Sequence, residues 1–504
     1  MRFVSVVFFV STLASTWAVP LVPVPVIDGD WWQVAGDPDL GSYTRANQQP
    51  VDFAVWQAAD GTWQLWSCIR GTGIGGNSRL FYGWEGAQLT DADWAPMGIK
   101  MTARTDLGET AGGLQAPHVV RWKGMYHMLY GDWVNICRAV SVDGKNFERV
   151  ILPNGKTGIF TEGPSGYNTR DPMALWTAGL WYVYYTAIPN NQGMDYVRSS
   201  TDLAHWSESR VASAFGESGT GGGSAECPFV IEYASGMYYL FRTQQYGASN
   251  ISRVYFSTDP TYFGINQDER YLVGSLPVAA PEFILAGTQW YVAALLPSLK
   301  GIRMARLRWE PPVRRGAGLF DFDDAAVRAG WTRVSGNLAT TFTNSTRSNF
   351  SPPYQWFIGT AEIDGTNFDD NLTGIIESPT FTLQHDRYVM LVSGGSGLSD
   401  RYVALESATG EEIARLSGSN NNAFSDRTVD VSSHVGRTVK IRVVDQATGS
   451  WGHVNFGGMF QLEPLPIEIP TPTPTPSPAR RADINEDGFV DREDLLLLHS
   501  EWGR

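Results

Sequence analysis

The stretch Asp171-Pro-Met-Ala-Leu-Trp-Thr-Ala-Gly179-Leu-Trp-Tyr-Val-Tyr-Tyr185 joins an apolar strand, a glycine turn and an aromatic strand without interruption. This order is typical of a β-hairpin. Four other stretches between residues 50 and 310 show the same order, so the hairpin belongs to an internal repeat. The repeat is marked by Phe53, Pro117, Pro172, Pro228 and Pro281, which follow one another at intervals of 64, 55, 56 and 53 residues.

Each unit continues with a third strand and a second turn. These turns are visible at Ser141-Val-Asp143, Ser200-Thr-Asp202 and Ser257-Thr-Asp259. Four strands in each of five regularly spaced units favour a five-bladed β-propeller over a generic β-sandwich. We predict that this domain occupies residues 30–312.

The remaining segments differ from the repeat. Residues 318–464 alternate short apolar strands with Gly, Asn and Asp turns, which predicts a β-sandwich module. A Pro/Thr-rich linker follows at 465–480, and a calcium loop with a short helix is expected at 481–504. Residues 1–18 combine one cation, an apolar run and small residues, as a secretory signal peptide does. The predicted fold class is therefore all-β, with a small calcium-loop/helix unit at the C-terminus.

Composition limits the partners. Lys and Arg number 38 against 52 Asp and Glu, a formal charge of −14, which disfavours nucleic acid and anionic membrane surfaces. No later apolar run approaches the roughly 20 residues of a membrane span. The 19 Trp, 20 Tyr and 24 Phe offer rings for a β core or for stacking on sugars. We expect a protein that is secreted or held at the cell envelope.

Carboxylates mark the strand starts of three units. Asp52 begins unit one, Asp171 begins unit three, and Glu226 lies just before unit four. Because a propeller brings these strand starts around one axis, the three side chains should converge. Glycoside hydrolysis needs one carboxylic acid to protonate the leaving oxygen and one carboxylate to attack or to activate water. The pattern predicts a glycoside hydrolase that needs no cofactor for catalysis.

Two motifs carry a family resemblance over about residues 30 to 310. Thr169-Arg-Asp-Pro172 and Ala225-Glu-Cys-Pro228 resemble the Arg-Asp-Pro and Glu-Cys motifs of glycoside hydrolase family 32, whereas Val51-Asp-Phe53 is closer to the short start of the related family 43. The resemblance implies a five-bladed propeller in both cases. It also implies Asp52 as nucleophile or base, Asp171 as transition-state stabiliser, Arg170 as a donor to sugar hydroxyls and Glu226 as general acid.

The two families imply different stereochemistry. Under family 32, Asp52 forms a covalent intermediate with retention, and the substrate is a fructan or sucrose-type furanoside. Under family 43, Asp52 activates water with inversion, as in an arabinosidase or xylosidase. Segments at 374–381, 393–397 and 450–455 resemble the C-terminal module of family 32 enzymes, so the retaining furanosidase is the main prediction. A propeller that binds sugar without turnover is the third alternative.

Further substrate contacts are expected from Gln115 and His118, at strand starts of unit two, and from Trp56 by stacking. Glu282 holds an equivalent place in unit five.

The C-terminal segment predicts a structural Ca²⁺ site. It supplies oxygen ligands at loop positions 1, 3, 5, 9 and 12, a backbone carbonyl at position 7 and Gly488 at position 6. The loop resembles one dockerin repeat, which implies a cohesin-like or envelope partner. The expected ligands are Asp483, Asn485, Asp487, Phe489, Asp491 and Asp494.

Overall fold

The structure, a computed structural model, describes residues 21–464. The chain divides into two compact units between Glu310 and Pro311. The all-β class is confirmed, since the described residues contain 32 strands and two α-helices of four and five residues. None of the helices in this part of the chain is long and apolar enough to cross a bilayer. The signal peptide, the linker and the calcium loop predicted above lie outside the described residues.

The first unit contains five antiparallel sheets. In chain order its elements are β1 (Val24–Gly36); β2 (Gln49–Gln57), β3 (Trp63–Arg70), β4 (Leu80–Gly86) and β5 (Ala95–Met101); β6 (Gln115–Trp122), β7 (Met125–Gly131), β8 (Ile136–Ser141), β9 (Glu148–Arg149) and β10 (Gly158–Phe160); β11 (Arg170–Thr177), β12 (Leu180–Ala187), β13 (Met194–Ser200) and β14 (Arg210–Ala214); β15 (Glu226–Ala234), β16 (Met237–Gln245), β17 (Ile251–Ser257), α1 (Asp268–Tyr271) and β18 (Leu272–Leu276); and β19 (Glu282–Ala286), β20 (Gln289–Leu295) and β21 (Gly301–Glu310).

Sheets one to four are built from consecutive strands. Their orders are β2-β3-β4-β5, β6-β7-β8-β10 with β9 beside β8, β11-β12-β13-β14, and β15-β16-β17-β18. Tight turns join the first two strands of each sheet. Gly124 and Gly179, with φ of 80° and 79°, occupy two of these turns in a left-handed conformation that a side chain would disfavour.

Sheet five is closed by the N-terminal strand. Its order is β19-β20-β21-β1, and the pairing runs from Val24 opposite Glu310 to Gly36 opposite Gly301. The fifth repeat has three strands of its own, and β1 supplies the fourth. The sheet therefore begins at Val24, and the predicted start at residue 30 falls inside this strand.

The first strands of the five sheets contact one another in cyclic order. β2 contacts β6, β6 contacts β11, β11 contacts β15, β15 contacts β19, and β19 contacts β2. Buried apolar side chains fill the space between neighbouring sheets; Trp66, Tyr130 and Phe81 are examples with almost no exposed surface. This order brings corresponding ends of all five first strands toward a common centre.

The second unit has two antiparallel sheets around a core of their own. Side chains of both sheets share one hydrophobic cluster, to which Met390 and Phe456 contribute from one sheet and Val403 and Ile441 from the other. One sheet has the order β22-β32-β27-β30 with β24 beside β32, and the other has β23-β25-β31-β28-β29 with β26 beside β31. The elements are β22 (Val313–Gly318), α2 (Ala325–Ala329), β23 (Thr332–Gly336), β24 (Ile358–Gly359), β25 (Gly374–Glu377), β26 (Phe381–Thr382), β27 (Arg387–Gly394), β28 (Arg401–Ser407), β29 (Glu412–Leu416), β30 (Asn421–Asp430), β31 (Thr438–Asp445) and β32 (Val454–Pro464).

Candidate active site

Five residues with left-handed backbone conformation stand at corresponding places in the repeat. A non-glycine residue in this region costs about 1–2 kcal/mol, so five outliers in register indicate a maintained feature. In four of the five sheets the pairing of the first strand shifts its register at this point, as it does at a β-bulge. The five residues are Asp52 (φ 38°), Ala116 (41°), Asp171 (58°), Cys227 (49°) and Ala280 (45°).

The bulged positions surround one cavity. It opens to solvent and is lined by residues from all five sheets. Two carboxylates predicted to be catalytic, Asp52 and Asp171, lie in its wall. The full lining consists of Asp52, Phe53, Ala116, Pro117, Asp171, Pro172, Met173, Cys227, Pro228, Ala280 and Glu282.

Asp171 is the most buried carboxylate of this group. Its side chain is 3% exposed. Oδ2 accepts a hydrogen bond of 3.2 Å from the backbone N–H of Cys227 and lies 3.4 Å from Arg170 Nε. Oδ1 is buried and has no hydrogen-bond partner among residues 21–464. Burial raises the pKa of Asp171 to about 7, assisted by the charges of Asp52 and Glu226 and opposed by Arg170.

Glu226 reaches the same group from sheet four. Its carboxylate accepts a hydrogen bond from Arg170 Nη2, and its side chain is 19% exposed. Glu226 and Arg170 each stand one residue before the left-handed residue of their strand, so Glu226 is one step out of register with Asp52 and Asp171. Burial acts to lower the pKa of Arg170, but the charges of Asp171 and Glu226 outweigh it and raise that pKa above its usual range. Arg170 therefore remains a cation between two carboxylates.

Cys227 connects Asp52 to Tyr246. Its Sγ lies 3.4 Å from Asp52 Oδ1 and 3.4 Å from the Tyr246 hydroxyl. Burial, together with the charges of Asp171, Asp52 and Glu226, raises the pKa of the thiol well above its usual range. The thiol therefore keeps its proton at neutral pH and donates it toward Asp52. Sequence reasoning named Cys227 only as part of a motif, because nothing local in the sequence indicates a contact with a residue 175 positions away.

The other predicted substrate contacts have different surroundings. His118 is buried, with Nδ1 at 3.7 Å from Glu282 Oε2. Gln115 is 1% exposed, and neither of its amide atoms has a hydrogen-bond partner in the described chain.

The prediction that Trp56 stacks on a sugar needs correction. It lies in the core, edge-on to Trp66 and Phe147, and its indole N–H donates to the carbonyl of Gly144 at 2.7 Å. We therefore leave Trp56 out of the site.

Between residues 21 and 464 no group of three or more His, Cys, Asp or Glu side chains has the geometry to hold a metal ion. The calcium ligands predicted from the sequence, from Asp483 to Asp494, lie beyond this range.

Comparison with known proteins gives distant similarities. No protein-family profile matches the chain. An Aspergillus rugulosus protein assigned as a glycosyl hydrolase, ecdE, is 23% identical over 307 residues, which are 59% of this chain and 39% of that protein. The chain thus spans about two fifths of the length of the curated relative that it matches.

Solved structures with similar folds include family 43 enzymes. A thermostable family-43 glycoside hydrolase superposes with a TM-score of 0.40 at 19% identity, covering 53% of this chain and 91% of that one. A family 43 arabinoxylan arabinofuranohydrolase from Bacillus subtilis, solved with cellotetraose, has a TM-score of 0.37 at 15% identity and covers 83% and 96%.

Proposed function

We propose that the first unit is a five-bladed propeller that hydrolyses glycosidic bonds in the cavity around Asp52, Asp171 and Glu226. The observation that carries this proposal is the meeting of three carboxylates from three sheets: Asp52 and Asp171 lie in the cavity wall, and Glu226 is joined to Asp171 through Arg170. The cyclic contacts of the first strands support five blades. Similarity to a protein assigned as a glycosyl hydrolase supports the reaction class.

The surroundings of the carboxylates divide the chemical roles. Glu226 has the more exposed carboxyl of the Arg170 pair, so it can reach the leaving oxygen and give it a proton. Asp171 is enclosed, so we assign it to holding Arg170 in place and, in its ionised form above its pKa of about 7, to stabilising the positive charge that develops on the sugar. Asp52 acts on the anomeric carbon, either directly or through water, while the Cys227 thiol donates to its carboxylate.

We assign inversion to the reaction, with Asp52 as the general base that activates water. Blade one contains Val51-Asp52-Phe53 in place of the Asn-Asp-Pro of family 32, and this short start resembles family 43. The prediction of a retaining fructan or sucrose-type furanosidase of family 32 is supported only by its sequence motifs. The substrate class that follows is an arabinoside or xyloside of a plant or algal glycan.

An NMR time course of the released anomer tests this proposal. Purified protein is incubated with arabinan, xylan, inulin and levan, and the first anomer released is identified before mutarotation. Inverted arabinose or xylose is the expected product. Retained fructose would restore the family 32 interpretation, and sugar binding without release from any glycan would replace the hydrolase with a sugar-binding propeller.

The rest of the chain has proposals of its own. Two antiparallel sheets that share one cluster support a β-sandwich for the second unit. For the C-terminal segment we propose one structural Ca²⁺ site on an exported protein, with a cohesin-like or envelope partner. Calorimetric titration of the full chain should show one calcium site that Asp483→Ala and Asp487→Ala remove, with turnover unchanged by chelation. Loss of turnover on chelation would instead assign calcium to the propeller.

A further inference from the structure

A third carboxylate lines the same cavity and has no role in the mechanism above. Glu282 opens β19 in sheet five and lines the cavity together with Asp52 and Asp171. Its side chain is 18% exposed, so one part faces the cavity and the rest is buried. A carboxylate in such a position is expensive to bury without partners. Its presence calls for a group that it binds.

Glu282 belongs to a row of side chains one layer below the bulges. Each member stands two residues after the left-handed residue of its strand. Sheet one lies between sheets five and two, and its member of the row is the small residue Ala54. The space beside Ala54 therefore accommodates the larger side chains of His118 from sheet two and Glu282 from sheet five. The row consists of Ala54, His118, Met173, Phe229 and Glu282.

His118 and Glu282 meet in that space without satisfying each other. His118 Nδ1 lies 3.7 Å from Glu282 Oε2, which is too long for a hydrogen bond. The imidazole is 7% exposed, its ring packs edge-on to Phe229 at 5.9 Å, and Nδ1 has no hydrogen-bond partner within residues 21–464. A buried polar atom left without a partner costs about 1–3 kcal/mol. A ligand hydroxyl in the cavity can donate a hydrogen bond to the Glu282 carboxylate, which His118 flanks on its other side.

We propose that Glu282, positioned by His118, binds a hydroxyl group of the sugar unit that occupies the cavity, and that it selects substrates by that hydroxyl. The inference rests on the glycosidase function proposed above. Glu282 stands two residues after Ala280, the position that corresponds to Asp52 in sheet one, and both carboxylates line the cavity. The anomeric carbon must be near Asp52, and the hydroxyls on the far side of the same ring then face Glu282. The selected unit is therefore the sugar on the glycone side of the scissile bond.

A cycle of substrate and protein variants tests the proposal. The substrate is the p-nitrophenyl glycoside that the wild type hydrolyses fastest among the α-L-arabinofuranoside, β-D-xyloside and β-D-galactoside, together with its monodeoxy derivatives. The proteins are the wild type, Glu282→Ala, the isosteric Glu282→Gln, and Glu148→Gln, which changes an exposed glutamate on β9 as a matched control. The measured quantity is kcat/KM for each combination, and a thermal melt of each variant verifies that it is folded.

One hydroxyl should couple to Glu282. When that hydroxyl is removed from the substrate, kcat/KM of the wild type should fall by about 10- to 100-fold. The Glu282→Ala variant should already be slower than the wild type on the parent glycoside by a similar factor, and removing the hydroxyl should lower its kcat/KM no further. Glu148→Gln should behave as the wild type. If each deoxy substitution lowers kcat/KM of Glu282→Ala by the same factor as kcat/KM of the wild type, the inference about Glu282 is wrong, although the hydrolase proposal stands.

Failure of the proposed function would be recognised separately. If the wild type hydrolyses no member of the panel, the hydrolase proposal fails for these sugars. Calorimetric titration of the wild type and Glu282→Ala with arabinose, xylose, galactose and fructose then decides the inference. Binding that is lost with Glu282 supports it, and binding that is equal in both proteins, or absent from both, overturns it.

Discussion

Arg170 and Glu226 form an ion pair between neighbouring sheets, each from the residue just before the left-handed position of its strand. The same guanidinium lies 3.4 Å from the buried Asp171. One guanidinium therefore contacts two carboxyl groups of different exposure. Since Glu226 is the more exposed of the two, a substrate can displace this part of the network while Asp171 keeps Arg170 in place.

Replacing the acid should affect substrates according to their leaving group. Glu226→Gln preserves shape but cannot give a proton, so kcat with a natural glycan should fall by about 10²–10⁴. With a 2,4-dinitrophenyl glycoside, whose leaving group needs no proton, most of the rate should return. Steady-state kinetics on both substrates checks this. An equal loss on both substrates would exclude Glu226 as the acid.

Arg170→Lys should impair turnover although it keeps the charge. A lysine ammonium cannot reproduce the planar guanidinium that contacts Asp171 and Glu226 together. We expect kcat/KM to fall at least about tenfold and the thermal midpoint to drop, because two partly buried carboxylates lose a shared partner. Differential scanning fluorimetry and kinetics measure both effects. Wild-type kinetics in Arg170→Lys would show that only the charge matters.

Asp171 should make stability depend on pH. Its pKa is raised to about 7 in the folded chain from an ordinary value of 3.8, so the folded state holds a proton that the unfolded state has released. Stability should therefore fall as pH rises from about 4 to 7, by at most about 1.4 kcal/mol per pH unit for this group. Asp171→Asn should flatten the dependence of the thermal midpoint on pH across this window.

A matched control for this effect lies in the second unit. Burial also raises the pKa of Asp445 to about 7. Asp445→Asn should flatten the pH dependence of that unit's stability and leave turnover unchanged, whereas Asp171→Asn should also abolish turnover. A wild-type slope in Asp171→Asn would mean that Asp171 is ionised in the folded protein at pH 5.

The repeat was readable from the sequence because its signals are local. A hairpin such as the one that contains Gly179 can be predicted because a turn residue stands between two strand segments. The partner of β1 is different, because Val24 pairs with Glu310 and no local pattern encodes a contact across the whole unit. Counting the strands of each repeat could have indicated this pairing, because the fifth repeat has one strand fewer than the others and needs a strand from elsewhere in the chain.

Side-chain direction was harder to predict than strand position. The bulges change the face on which each residue lies, so alternation along a strand does not fix which of Asp171 and its neighbour Arg170 enters the cavity. Glu226 was predicted just before unit four, and it stands one residue before the left-handed residue of its strand. Trp56 shows the same difficulty, because aromatic residues suit both a sugar platform and the space between sheets.

Trp56→Phe should cost stability and leave substrate binding unchanged. The indole N–H donates to the buried carbonyl of Gly144, and the ring packs against Trp66 and Phe147. Losing the bond and part of the ring should destabilise the protein by about 1–3 kcal/mol. Urea unfolding measures the stability, and KM reports on binding. A raised KM at unchanged stability would return Trp56 to the binding site.

Cys227 should influence turnover through Asp52. Cys227→Ala removes the thiol that lies 3.4 Å from Asp52 Oδ1, whereas Cys227→Ser keeps a donor at nearly the same place. Because this contact orients the carboxylate that we propose acts at the anomeric carbon, we expect Cys227→Ala to lower kcat by about tenfold, with KM little changed, and Cys227→Ser to recover most of the rate. The serine variant is the control for side-chain volume, since both replacements shorten the cysteine. If alanine and serine lower kcat equally, the sulfur acts by filling space, and the contact with Asp52 has no part in catalysis.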